Sequence, residues 1–239
     1  MKKKYAFPWE AFYQRKSEGK NPNGPLWDVG TEDSVALDWP MFQKFADLDL
    51  PILDVGCGYG KEAVWFSKHF QQVFASDVSL TAVNRARKAC DQEGVEFFVS
   101  DWSEPDEGEK LRQAHGAMNV YIRAVLHQMK DADRLTAMRN ISSCLAGSNA
   151  VCFITEVAPD AQVHFEEITG SFGAIPAALQ SAFRSQLPPL GISVRDIQSL
   201  AEATDLRVLK VESAALRTNL TYPSGERVVV PATRATLKC

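Results

Sequence analysis

The chain has 239 residues, 45% hydrophobic and 23% charged, ordinary globular composition for one large domain or two small ones. Lys plus Arg number 26 against 30 Asp plus Glu, a net charge of −4, so no basic field exists to recruit nucleic acid or an anionic lipid surface. The five cysteines (Cys57, Cys90, Cys144, Cys152 and Cys239) are odd in number and contain no C-x-x-C pair, which argues against a disulfide framework or a zinc site and suits a reducing cytoplasm.

Lys2-Lys3-Lys4 resembles the start of a signal peptide, but Glu10, Arg15, Lys16 and Glu18 interrupt any apolar stretch behind it. An unprocessed, soluble chain is expected, since no run of about 18 apolar residues follows to span a membrane. Residues 1–50 are rich in aromatics: nine of the first 45 positions, too many for a floppy tail. The run Asn21-Pro22-Asn23-Gly24-Pro25 breaks any helix, so a helix is predicted near 8–18, then a loop, then a second helix near 33–46.

From Pro51 onward, short apolar runs alternate with amphipathic stretches, the β-α-β signature of a parallel sheet covered on both faces. Strands are predicted at 52–55, 72–76, 96–99, 117–122 and 151–155, with helices at 61–69, 79–92 and 131–145 and an acidic loop at 101–109. Residues 158–192, broken by Pro and Gly around apolar Phe165, Ile168, Phe172 and Leu179, read as a partly helical insertion. Ser193 with Asp196 three residues on is a weak capping box opening a helix to about Thr204. Two final strands, 206–214 and 227–236, flank the turn Tyr222-Pro223-Ser224-Gly225 and make an antiparallel hairpin. The expected class is therefore α/β, a doubly wound Rossmann-like mixed sheet with helices on both faces.

The strongest local signal is Leu53-Asp54-Val55-Gly56-Cys57-Gly58-Tyr59-Gly60, where a strand must turn into a helix. Glycines there let the backbone turn tightly and let a ligand approach. The spacing departs from the dinucleotide fingerprint, since Lys61 stands where its third glycine belongs, and Asp54 repels phosphate while suiting an amine or sulfonium. Asp77 ends the second strand, where a carboxylate can accept from both hydroxyls of a ribose. Asp101-Trp102 ends the third, where an acceptor beside an aromatic ring can hold an adenine.

Asp54-x-Gly56-x-Gly58-x-Gly60, Asp77 and Asp101 together resemble the first three motifs of class I S-adenosylmethionine-dependent methyltransferases, over roughly residues 50–157. The resemblance implies a seven-stranded sheet with a reversed last strand, in agreement with the hairpin. It also implies S-adenosyl-L-methionine as cofactor and S-adenosyl-L-homocysteine as product. The glycine loop would lie against the methionine moiety, Asp77 (with Val78) would hold the ribose, and Asp101 with Trp102 the adenine. Met118 to His127 resembles the family's fourth-strand segment, with Met118 in place of the usual acid. No Asn-Pro-Pro-Tyr or Asp-Pro-Pro-Tyr tetrapeptide is present, so the motif of base-directed methylation is missing. Arg123 is a candidate to orient an anionic substrate or the cofactor carboxylate, and His127 a candidate proton acceptor. Trp9…Phe12-Tyr13 and Pro25-Leu26-Trp27-Asp28-Val29-Gly30 are weakly similar to segments of thiopurine and thiol methyltransferase-like proteins, with an extra residue at Leu26. Trp27 then joins the cofactor contacts, and Tyr13, Arg123, Glu156 and Phe165 the substrate contacts. His164, Glu166 and Glu167 have no second cluster to match them, so no metal site is expected.

One domain over 1–239 is expected: a lid (1–50), a cofactor core (51–157), a substrate-cap insertion (158–192), and a closing helix and hairpin (193–239). The expected activity is methyl transfer to a hydroxyl, amine or thiol of a small, partly apolar molecule. The alternatives are a noncatalytic cofactor-binding module or partner subunit, and another transferase using the same cofactor. Neither nucleic acid nor membrane is expected as partner, and oligomeric state is left open.

Overall fold

A computed structural model describes residues 4–17, 26–90, 94–176, 179–180 and 190–239. Strands β1 (Ile52–Val55), β2 (Val73–Asp77), β3 (Val95–Val99), β4 (Asn119–Arg123), β5 (Val151–Val157), β6 (Arg207–Thr221) and β7 (Arg227–Lys238) form one sheet. Its order is β3-β2-β1-β4-β5-β7-β6. The first five strands pair in parallel, and β7 runs antiparallel to β5 and β6, which is the predicted mixed sheet with a reversed last strand. Chain order reverses between β1 and β4, which opens a crevice at the carboxyl ends of the strands, the usual ligand position in such sheets.

Eight helices are described: α1 (Ala6–Ser17), α2 (Val35–Phe42), α3 (Lys61–Phe66), α4 (Leu80–Ala89), α5 (Glu107–His115), α6 (Asp131–Leu145), α7 (Ala161–Phe172) and α8 (Val194–Glu202). Strand residues alternate between two cores. Leu53, Val55, Val120, Ile122, Cys152 and Ile154 pack with Met138 and Ile141 of α6 and Ile197 of α8. Ile52, Val73, Ala75, Tyr121 and Phe153 pack with Phe42, Phe66 and Val83 of α2, α3 and α4. The capping box at α8 is present in full: Ser193 Oγ accepts from the Asp196 N–H (3.1 Å), and Asp196 Oδ2 from the Ser193 N–H (2.7 Å).

Three predicted elements differ. The second helix is shorter than 33–46: a 3-10 turn at Thr31–Asp33 precedes α2, and Pro40, which has no N–H to extend the ladder, lies two residues from its end. Most of the expected acidic loop precedes or belongs to α5. Gly108 lets α5 approach α6 closely: a Cβ on it would lie 1.9 Å from the Asn140 carbonyl oxygen. β6 extends to Thr221, because its outer half pairs with β7 as far as Thr221↔Arg227. The loop expected at 21–25 and Phe183, Pro188 and Pro189 of the insertion lie outside the described residues.

Candidate functional site

A cavity opens at the carboxyl ends of β1 to β4, beneath α1 and residues 27–28. Its floor is the glycine loop. Gly56 (φ +74°) donates its N–H to the Ser76 carbonyl (2.7 Å), and a Cβ on it would lie 2.3 Å from Val125 Cγ2. Gly58 (φ +53°) donates its N–H to Asp77 Oδ2 (3.0 Å). Both therefore need a residue without a side chain. Gly60 differs: it stands at the start of α3 with φ +81°, a Cβ on it would meet the Phe97 ring at 2.7 Å, and it does not line the cavity. Its role is helix start and packing, which corrects its expected cofactor contact.

Asp77 is 7% exposed and accepts a second bond, from the Ser79 N–H (2.9 Å). Burial pushes its carboxyl up to about 6 against the pull of the Ser79 and Gly58 donors. Asp54 is held well above the usual carboxylate range by burial, reinforced by the negative charge of Glu62 and Asp77. Asp101 Oδ1 accepts from Ser103 N–H (3.1 Å) and Oγ (2.6 Å). Trp102 is both core and wall: it is buried, its Nε1 donates to Ser76 Oγ (3.1 Å), and it borders the cavity with Val78.

Three buried side-chain polar atoms without a partner among the described residues, Asp54 Oδ2, Asp101 Oδ2 and Arg123 Nη2, belong to residues lining this one cavity. Buried polar atoms are rarely left unpaired, so this concentration fits a ligand that offers both donors and an anionic acceptor. S-adenosylmethionine has an amine and hydroxyls to donate to Asp54 Oδ2 and Asp101 Oδ2, so these acceptors fit the cofactor, while Arg123 Nη2 is open to an anionic group on either bound molecule.

Helix α1 is tied down on two flanks. Glu10 of α1 accepts from Ser79 Oγ (2.6 Å), from the Thr81 N–H (3.1 Å) and from Thr81 Oγ1, at the start of α4. Across the cavity, Tyr5 Oη donates to Asp133 Oδ2 (2.5 Å) and accepts from the Lys130 N–H (2.9 Å), and Lys4 pairs with Asp133. Tyr5, Trp9 and Tyr13 of this segment line the cavity. Trp27 closes the wall, stacked on Phe12 (5.9 Å) and edge-on to Trp9 (5.5 Å). Burial, with the charge of Asp77, raises the Tyr13 phenol well above its ordinary range. Lys61 pairs with Asp28 (2.5 Å), which fastens the segment that carries Trp27 to the start of α3.

Arg123 reaches the cavity from the end of β4, with Nη1 donating to the Trp27 carbonyl (3.2 Å). His127 does not. Its ring is buried, Nδ1 lies 2.8 Å from Glu156 Oε2, and Nε2 lies 3.0 Å from Gln128 Nε2, so neither nitrogen is left for a proton from the cavity. Glu156 does not line the cavity either: its oxygens accept the N–H groups of Val125 (3.0 Å), Leu126 (2.8 Å) and His127 (3.1 Å), capping the 3-10 turn Leu126–Gln128. Both expectations are thus corrected: the pair shapes the loop after β4 from below. Phe165 is likewise corrected, being buried with Leu26, Ile168, Leu216 and Val230 in a separate core under α7.

Sequence reasoning missed Tyr5, Gln128, Met129 and Tyr121 as cavity residues. Tyr5, Trp9 and Tyr13 were discoverable, since i, i+4, i+8 spacing places them on one helix face. Gln128 and Met129 carried no such signal. Among the described residues no three His, Cys, Asp or Glu side chains gather as a metal site, and no helix is long and apolar enough to cross a membrane.

Residues 52–147 match a methyltransferase domain family. No curated protein matches the chain. Among solved structures, a SAM-dependent methyltransferase from Anabaena variabilis superposes with a TM-score of 0.90 at 23% identity, covering 98% of this chain and 94% of that one. A protein described for conversion of a disulfide bond into a thioacetal group in echinomycin biosynthesis gives 0.65 at 21% identity, over 96% and 92%. The [4+2]-cyclase SpnF gives 0.61 at 15% identity, over 96% and 94%.

Proposed function

We propose that the chain, whose residues 52–147 match a methyltransferase domain family, is a class I S-adenosylmethionine-dependent methyltransferase that methylates a small, partly apolar molecule inside the lidded cavity. The observation that carries this reading is the aromatic cover. Tyr5, Trp9, Tyr13 and Trp27 lie over the glycine loop, and α1 is bonded to α4 on one side and α6 on the other. A cover of that kind suits a compact ligand better than a polymer. The net charge of −4 further disfavours nucleic acid, and the buried thiols of Cys57, Cys144 and Cys152 suit a reducing cytoplasm.

Bound S-adenosylmethionine would supply an electrophilic methyl group on a sulfonium, open to in-line attack. The chain's own residues bind, orient and exclude water. Asp77 would take the ribose hydroxyls, with Val78 beside it; Asp101 and Trp102 would take the adenine; Gly56 and Gly58 keep the floor low enough for the methionine portion, and Asp54 faces the positive end. Trp27 and Tyr13 close the roof, and Arg123 stands on the acceptor side. With the His127 nitrogens engaged elsewhere, the rate rests on positioning and water exclusion.

Calorimetry with S-adenosylhomocysteine and a methyl-transfer screen across phenols, amines and thiols test the reading. Wild type should bind the product, and Asp77→Ala should weaken that binding at least tenfold, a bidentate charged contact being worth more than about 1.4 kcal/mol. Unchanged affinity would remove Asp77 from the ribose site. Binding without turnover on any acceptor would favour a noncatalytic module, and SpnF shows that one fold serves more than one chemistry.

A further inference from the structure

We infer that Arg123 is the anchor for an anionic group on the acceptor, so that the molecule methylated is a small aromatic monoanion of the carboxylate kind. The inference rests on the small-molecule reading above and narrows it to a substrate class.

Arg123 is a cavity-lining cation that meets Asp38 and Asp54 only through longer-range attraction. It forms no ion pair within 4.0 Å among the described residues, whereas Lys61, the other cation lining the cavity, is paired with Asp28 at 2.5 Å. Nη1 is spent on the Trp27 carbonyl (3.2 Å), while Nη2 is buried without a partner. The nearest acid groups do not supply one. Asp38 already receives Tyr121 Oη (2.8 Å), Thr155 Oγ1 (3.3 Å) and the Arg234 guanidinium (2.8 Å). Asp54 leaves its own Oδ2 unpartnered, and burial holds its carboxyl toward the neutral form. A guanidinium with one face fixed and the other bare in a low-dielectric cavity is built to receive a carboxylate, whose planar oxygens match its fork.

Two features place that carboxylate on the acceptor. The Trp27 carbonyl ties Arg123 to the lid segment, and the strand order β2-β1-β4 puts β1 between Arg123 and the Asp77 end of the cavity. The cavity lining that includes Arg123 also holds the aromatic Trp27 and Tyr121 and the apolar Val125 and Met129, beside the polar Gln128, which suits an aromatic body carrying one charge. The competing source of the same chemistry is the carboxylate of the cofactor's methionine portion.

Calorimetric titrations separate the two. The ligands are S-adenosylhomocysteine, 5′-methylthioadenosine (which lacks the amino-acid carboxylate), and, on protein saturated with S-adenosylhomocysteine, 2-naphthoate and its neutral carboxamide. Wild type should bind the naphthoate at least tenfold tighter than the amide. Arg123→Gln should abolish that preference while S-adenosylhomocysteine affinity stays within twofold, and Arg123→Lys should keep part of the preference. The proposal is overturned if wild type does not distinguish acid from amide. It is equally overturned if Arg123→Gln weakens S-adenosylhomocysteine tenfold or more with 5′-methylthioadenosine unchanged, since the guanidinium then serves the cofactor. A wild type that binds no S-adenosylhomocysteine overturns the cofactor reading itself and this proposal with it.

Discussion

Asp77 does two jobs at once. It pins the glycine loop through the Gly58 N–H and the start of α4 through the Ser79 N–H, and its remaining lone pairs border the cavity. Burial raises its carboxyl from 3.8 to about 6, so the native state resists ionisation while the unfolded chain ionises freely. Stability is therefore lost, not gained, as pH rises from about 4 through 6. Replacing the carboxylate by a neutral amide removes this dependence. The unfolding free energy of Asp77→Asn relative to wild type should climb by about 2 to 3 kcal/mol between pH 4 and 7.5, read by urea denaturation at each pH. A difference that stays flat would show that the carboxylate titrates as it does in the open chain. At this scale the sequence was informative wherever a side chain's task is local: the Gly56 and Gly58 turns and the strand-end Asp77 and Asp101 follow from spacing. It was misleading at His127 and Glu156. Which way a strand-end side chain faces depends on what closes behind it, and there the N–H groups of the 3-10 turn captured the carboxylate first.

At the scale of elements, α1 is held by polar contacts at its start and at mid-helix Glu10, with an aromatic stripe along it. The Glu10 carboxylate acts as an external cap for α4, supplementing Ser79 Oγ, which accepts from the Ala82 N–H (3.2 Å). Loss of a cap typically costs about 1 kcal/mol, and here the loss is shared between α4 and the lid. Glu10→Ala should lower global stability by roughly that amount, and should remove hydrogen-exchange protection from residues 6–17 by a larger factor than from the β strands. Equal loss of protection in lid and sheet would mean that α1 opens only with global unfolding. The helical character of α1 was legible from its composition. Its partners were not, since Glu10 meets Ser79 and Thr81 across 69 and 71 positions of chain. α5 was hidden for a different reason: Glu107 to His115 is mostly polar, and the glycine that marks a break in a lone helix is here a point of close helix contact.

At the scale of the molecule, the last strand to be made occupies an interior place in the sheet. β7 lies between β5 and β6, seals the edge of β5, and buries Val228, Val230, Ala235 and Leu237. A chain stopped after residue 225 would leave the all-buried β5 with an open apolar edge and β6 with no neighbour. Such a truncation is expected to be recovered in aggregates, without a cooperative thermal transition. A soluble, cooperatively melting product would show that β1 to β5 are self-sufficient. Alternation of strands and helices made this architecture readable over residues 51–157. The reach of β6 to Thr221 was not readable, because its outer half mixes polar and apolar residues, with only Leu216 and Thr218 buried, and owes its extension to its partner.

The two ties on α1, to α4 on one flank and to α6 on the other, carry a kinetic expectation. On the proposed reading, the ligand on the glycine loop lies beneath the helix that covers its reaction partner, so product-inhibition kinetics should show it loading first and departing last. Random order would mean that the acceptor has its own way in.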